Sequence, residues 1–220
     1  MSMSLEIILA SRSPAREAIL RQIRLPFVAI PSDVKEVLKT DPKSSVLQIS
    51  AKKAEKVGRQ LQSVYKNYIV IGCDTLVIDP SQNIMGKPKD RSDAQYMLRT
   101  LSGHSHRVLS GCSIIHYPNQ TKYQVVITTI VKFRKLSEEE INFYLSMKEW
   151  KNRAGAYAIQ GLGAFLIEEI QGDYYNIVGL PISWIWKTLW EYFGDSLISK
   201  YTKEKGINLD RRDSTMLHLG

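Results

Sequence analysis

Cysteine is scarce in this chain: two in 220 residues, Cys73 and Cys112, too few for a disulfide framework. Both stand inside apolar, strand-like runs, so buried free thiols are expected. Long hydrophobic runs are missing as well. No stretch approaches the roughly 18 apolar residues needed to cross a bilayer. Met1–Leu9 has no basic start and no long apolar segment ending in small residues, so a signal peptide is not expected and a cytoplasmic setting is. Metal-binding spacings are lacking too: His104 and His106 lie close together, but no Cys-x-x-Cys or His-Glu-x-x-His accompanies them. There is no Gly-x-x-x-x-Gly-Lys phosphate loop. No block of five or six like charges occurs, so a nucleic-acid partner is not expected. No membrane partner is expected either.

What is present is an ordinary globular composition, 44% hydrophobic and 24% charged, with a net charge of +8. That excess of positive charge suits an anionic ligand. The length fits a single two-lobed domain, taken as residues 1–198, and residues 199–220 lose the apolar pattern and are expected as a loosely held tail. Glu6–Leu9 reads as a short buried strand. Ser13 is placed to cap a helix that Pro14 opens and that buries Ile19, Leu20 and Ile23. Phe27–Ile30 reads as a second strand. The spacing of Val46, Ile49, Lys53, Val57 and Leu61 predicts a helix over 44–63. Tyr68–Cys73 is a β-branched run expected as a central strand, ending at Asp74.

Further on, Ser92–Gln95 reads as a capping box with Gly103 as the helix stop. Val108–His116 and Lys122–Phe133 read as two long strands joined at Pro118–Asn119, and Ser137–Glu140 reads as a second capping box. Ala164–Ile170 and Tyr175–Val178 are expected as strands, and Pro181 starts a last helix. The order is mixed α/β, and the long hairpin argues against a purely parallel sheet.

Five features could carry chemistry. Ser11–Arg16, between strand and helix, combines helix N–H groups with Arg12, Arg16 and two hydroxyls. It is either a phosphate cradle or a capped helix with solvated arginines. Asp74 at a strand end could hold a divalent metal or act as a general base, or could simply start a turn. A haloacid-dehalogenase-like phosphatase would need a second Asp two residues on, where Leu76 stands. Lys53, at the edge of an apolar helix face, either faces an anion or snorkels to solvent. Lys87, between Gly86 and Pro88, leaves a rigid turn. Ala154–Gly161 is rich in small residues, and Gln160 could read a base edge with its amide. Gly179–Leu180–Pro181 is most simply a strand-to-helix turn.

Taken in order, these segments resemble the Maf family of nucleotide pyrophosphatases. The resemblance spans Leu9 to about Trp190. It is carried by Leu9-Ala10-Ser11-Arg12-Ser13-Pro14, Lys53-Ala54, Gly72-Cys73-Asp74-Thr75, Gly86-Lys87-Pro88, Leu101-Ser102-Gly103, Ala154-Gly155-Ala156-Tyr157 with Ile159-Gln160-Gly161, and Asn176–Pro181. It implies an α/β fold of the Maf/ITPase-like kind: an elongated mixed β-sheet flanked by helices, in two lobes around a central cleft. It implies hydrolysis of a nucleoside triphosphate between the α and β phosphorus atoms, a divalent metal cation (Mg²⁺ or Mn²⁺), and a possible homodimer. Asp74 then matches the proton acceptor. Ser11, Arg16, Lys53 and Lys87 match triphosphate contacts, and Glu36 matches a carboxylate able to share the metal with Asp74. Thr75 and Gln160 match positions that help set base choice in the branch acting on dTTP and UTP. The chain departs from that branch at Ala15, where an arginine usually follows the proline. The alternative is a nucleotide-binding regulatory protein, linked to cell division, that has lost turnover.

Overall fold

The computed structural model describes residues 5–205. Its centre is a seven-stranded mixed sheet in the order β2-β1-β3-β5-β6-β7, with β4 paired to β3 off that path. The strands are β1 (Glu6–Leu9), β2 (Val28–Ala29), β3 (Tyr68–Ile78), β4 (Ile84–Met85), β5 (Ser105–Tyr117), β6 (Thr121–Phe133) and β7 (Ile167–Gln171). β1 runs parallel to β2 and β3, whereas β3, β5, β6 and β7 pair antiparallel.

Among the described residues six α-helices flank the sheet: α1 (Pro14–Gln22), α2 (Pro42–Leu61), α3 (Arg91–Leu101), α4 (Glu138–Ser146), α5 (Tyr174–Val178) and α6 (Ile182–Lys205). α1 and α6 pack on one face of β1 and β3 around Leu9, Ile71, Cys73 and Ile185. α2 covers the other face, around Ala54, Val57 and Val70. The far ends of the long strands bury a separate cluster against α3 and α4, including Leu98, Phe133, Tyr144 and Leu166. The two lobes therefore share β3, β5 and β6 but have distinct cores.

Local chemistry explains most boundaries. Ser13 caps α1, accepting from the Arg16 N–H, with Pro14 at the first helical position. The Ser137–Glu140 box is reciprocal at the head of α4. Two starts lie earlier than expected because an aspartate competes better for the cap. Asp41 accepts from the N–H groups of Lys43 and Ser44, so α2 opens at Pro42 and not at Ser44. Asp90 accepts from the Asp93 N–H at 2.8 Å, so α3 starts at Arg91 and the Ser92–Gln95 box is not the cap. Replacing Asp41 by alanine should destabilise the protein, because the Lys43 and Ser44 N–H groups lose their cap. A urea titration would show it as a lower midpoint at unchanged slope.

Three other expectations need correction. Tyr175–Val178 is not a strand but α5, one helical turn capped by Asp173 and ended by Gly179 at φ 114°. A four-residue apolar run cannot by periodicity distinguish strand from helix. The Ala164–Ile170 region begins as a 3-10 segment over Gly161–Leu166, and only then becomes β7. Finally, α6 crosses the boundary placed at residue 198 and continues to Lys205. Lys200 donates to a Glu6 carboxylate oxygen at 2.7 Å and the Tyr201 hydroxyl to the Ile23 carbonyl at 2.9 Å, so this stretch is docked on the first lobe. The expectation for the rest of the tail lies outside the described residues.

Candidate active site

β3 creates the opening for the site. Its residues Tyr68–Ile71 pair with β1, and its Val77 and Ile78 pair with β4. Between them, Gly72–Leu76 have β5 on one side and no strand partner on the other among the described residues. Asp74 sits in the middle of that gap, and β3 runs on to Ile78 instead of ending at Asp74 as expected, because β5 keeps pairing with it through that stretch. Side chains alternate along a strand, so Asp74 shares the face of Gly72 and points toward α2, whereas Thr75 points to the opposite face. The structure bears out this division: Asp74 meets Lys53 of α2, and Thr75 meets Arg16 of α1.

Lys53 Nζ donates to Asp74 Oδ1 at 2.7 Å and to Glu36 Oε1 at 2.6 Å. Lys53 and Asp74 are buried, and the Glu36 side chain is 52% exposed. Burial is the largest influence on Asp74 and pushes its pKa above the ordinary aspartate value, assisted by the Glu36 charge and opposed by Lys53 and Arg16. Burial also acts to raise Glu36, but Lys53, Lys87 and Arg16 together outweigh it and hold that carboxyl low. The two carboxylates thus differ in basicity while sharing one ammonium.

On the other face, Arg16 is held by protein groups. Its Nε donates to the Gly179 carbonyl at 2.7 Å and its Nη2 to Thr75 Oγ1 at 3.2 Å, with Ser11 Oγ 3.5 Å from Nη1. Thr75 Oγ1 in turn lies 2.8 Å from the buried Ser110 hydroxyl. A network of this kind fixes the guanidinium plane and orients Thr75.

These groups line one cavity of about 780 Å³, within the size range of small-molecule sites. Ser11, Arg16, Glu36, Lys53, Asp74, Thr75, Lys87 and Gln160 all border it. Ala15 does not. It is buried under α1, and the basic group presented to the cleft comes from Arg16.

Sequence reasoning missed part of the wall. Asp33, which it did not single out, forms an ion pair with Arg12 of the expected cradle, and both border the cleft. The loop Lys151-Asn152-Arg153 adds two more cations to the wall. Asn152 has φ 60° and Gly155 has φ 69°, so the chain takes left-handed turns there. The Gly155 N–H then donates to the Gly86 carbonyl, tying this loop to the one that carries Lys87. Nothing in the periodicity marks such a loop contact. Tyr157, also lining the cleft, is anchored by His106, whose Nε2 lies 2.8 Å from the phenol oxygen. Burial lowers the His106 pKa to about 4, so its ring is neutral at physiological pH.

The cleft wall carries six cations, Arg12, Arg16, Lys53, Lys87, Lys151 and Arg153, against the three carboxylates Asp33, Glu36 and Asp74. That balance suits a polyanion with several negative charges. Among the described residues no group of three or more His, Cys, Asp and Glu side chains is placed to hold a metal. The Glu36 and Asp74 pair still fits a hard divalent cation, since Mg²⁺ commonly takes one or two protein carboxylates and completes its shell from water and substrate phosphates.

Comparison with known proteins bears on the same residues. The sequence profile described as "Maf-like protein" matches residues 6–192. The chain belongs to the Maf family. A dTTP/UTP pyrophosphatase of Clostridioides difficile (strain 630) is 42% identical over 195 residues, 88% of this chain and 98% of that protein. A dTTP/UTP pyrophosphatase of Staphylothermus marinus is 39% identical over 206 residues, 93% of this chain and 98% of that protein. Among solved structures, a HAM1 protein from Coxiella burnetii aligns with 60% of this chain and 74% of its own at 15% identity and a TM-score of 0.40. The Maf profile spans every cleft residue named above.

Proposed function

We propose that this Maf protein is a nucleoside triphosphate pyrophosphatase, cleaving the α–β phosphoanhydride of dTTP, UTP or related nucleotides to a monophosphate and pyrophosphate. The observation that carries this reading is the buried Asp74, of raised basicity, in a cleft dominated by cations. Relatives of about 40% identity that bear the dTTP/UTP pyrophosphatase name support the substrate class.

In this reading, Arg16 and Lys87 offset triphosphate charge from opposite sides of the cleft, with Ser11 as a neutral donor or acceptor. Asp74 takes a proton from the attacking water. The water oxygen bonds to the α-phosphorus, the bond from that phosphorus to the bridging oxygen breaks, and pyrophosphate leaves. Such a reaction needs positioning and charge neutralisation more than covalent chemistry. A divalent cation held by Glu36 and Asp74, Mg²⁺ or Mn²⁺, would supply further neutralisation of the phosphate oxygens. Thr75 and Gln160 border the cleft where a base could be read, Thr75 already oriented by Arg16 and Ser110. The regulatory alternative rested on Ala15, which is buried in α1 and does not border the cleft; the triphosphate panel below separates that alternative from turnover.

The deciding experiment is a panel of triphosphates with Mg²⁺ or Mn²⁺ and pyrophosphate as the readout. Absence of pyrophosphate from every nucleotide would sink the reading. Lys87 is exposed in the free protein, so its loss should cost less than that of a desolvated charge. Lys87→Ala should raise KM about tenfold, roughly 1.4 kcal/mol, with the deficit shrinking as salt is added. An unchanged KM at low salt would remove Lys87 from the triphosphate site.

Two further features belong to the same proposal. The protein acts in the cytoplasm, which is supported by its buried free cysteines; no helix among the described residues is long and apolar enough to cross a membrane. It forms a homodimer, supported by the exposed Trp186 and Trp190 side by side on α6. Sedimentation velocity at micromolar concentration tests the latter, and a monomer would refute it.

A further inference from the structure

Lys53 stands in an unusual place for a phosphate ligand. It emerges from the buried face of α2, flanked by Ile49, Ala54 and Val57, and only 10% of its side chain is exposed. Its ammonium makes charge-assisted bonds to one oxygen of Glu36 and one of Asp74, at 2.6 Å and 2.7 Å. Those carboxylates are the two groups in the cleft that fit a divalent ion. With Lys53 in place their joint charge is −1. A divalent ion added beside the ammonium would turn that to +1, in a cleft already rich in arginine and lysine.

We propose that Lys53 is a cation gate, its ammonium holding the Glu36 and Asp74 oxygens until a triphosphate arrives, so that the metal enters only together with the nucleotide. The inference rests on the pyrophosphatase reading for the identity of that polyanion. A triphosphate resolves the conflict because its oxygens can take both the displaced ammonium and the metal. The flexible lysine stem permits the swing, whereas Asp74 is fixed by β3. One consequence is protective: without nucleotide the protein holds no metal-activated water beside its base.

The test is a titration with Mn²⁺ alone, following the electron paramagnetic resonance signal of free Mn²⁺. Wild type, Lys53→Met and the double variant Lys53→Met/Asp74→Asn are compared. Lys53→Met should bind Mn²⁺ at least tenfold more tightly than wild type, and the double variant should lose that gain. Wild type should retain Mn²⁺ on ultrafiltration only with a triphosphate analogue whose α–β bridge is an imido group. Wild type binding Mn²⁺ alone within twofold of Lys53→Met would overturn the gate. Should Lys53→Met fail to fold, as judged by its thermal melt, Lys53→Gln replaces it. The wild-type comparison with and without analogue decides the question independently. Pyrophosphate release by the same wild-type preparation separates the two claims. Turnover combined with tight nucleotide-free Mn²⁺ binding refutes the gate and leaves the function standing. Absence of turnover on every triphosphate refutes the function, while a Mn²⁺ gain in Lys53→Met would still support the gate.

Discussion

Asp74→Asn is expected to lower pyrophosphate release by about 10³-fold or more, some 4 kcal/mol of transition-state stabilisation. Asparagine keeps the shape and one acceptor oxygen for Lys53, but it cannot take a proton from water. The same substitution should leave the fold intact and the melting temperature at neutral pH no lower than that of wild type. The linkage sign supports this. Burial raises the Asp74 pKa above the ordinary value of 3.8. Between 3.8 and that raised folded value, the native state holds a proton that the unfolded chain has released. Stability therefore falls as pH rises through that window, and the cost persists at neutral pH. Asparagine carries no such cost. Turnover within tenfold of wild type would exclude Asp74 as the base. A large drop in melting temperature would show instead that the aspartate holds the fold together through Lys53.

The second large effect concerns Gly72, two residues before Asp74 on the same face of β3. A Cβ there would lie 2.1 Å from the Ser50 carbonyl oxygen and 2.9 Å from the Ala54 backbone nitrogen. Both belong to the backbone of α2, so no side-chain rotation can relieve the clash. Gly72→Ala should cost about 3 kcal/mol, the upper part of the usual overpacking range, and lower the melting temperature by about 6–12 °C. The helix must move off the sheet, and it carries Lys53, so pyrophosphate release should fall even at temperatures where the variant is folded. Gly86→Ala is the matched stability control, because a Cβ there meets nothing within 4 Å. It should melt within about 0.5 kcal/mol of wild type. Equal melting temperatures for the two variants would show that α2 does not press on Gly72.

The close approach at Gly72 also explains why the site could be read only in part from the sequence. Asp74 in an apolar strand, Ser13–Pro14 at a helix start and the Ser137–Glu140 box are local patterns, set by residues within a few positions of one another. Their chemistry acts at short range, so the strand, several helix starts and the candidate base were visible before any tertiary contact was known. The Maf motifs added order to them. Where two local signals competed, as Asp41 with Ser44 or Asp90 with Ser92, the neighbouring backbone decided, and the boundaries moved.

Other features required the folded chain. Glu36 lies 17 positions from Lys53 and Lys53 lies 21 from Asp74, yet one ammonium binds both carboxylates. Arg16 reaches Gly179 across 163 positions. Ala15 and Arg16 are adjacent in the chain, but helical rotation sends one into the core and the other into the cleft. The Lys151–Arg153 loop carries no periodicity, and its direction comes from positive φ angles and a bond to Gly86. The amino-acid sequence thus determined which chemical groups were available and the local elements bearing them. Which groups face one another, which carboxylate is the stronger base, and which cation stands between them depend on burial and long-range packing, and these exist only once the sheet and α2 have closed around Asp74.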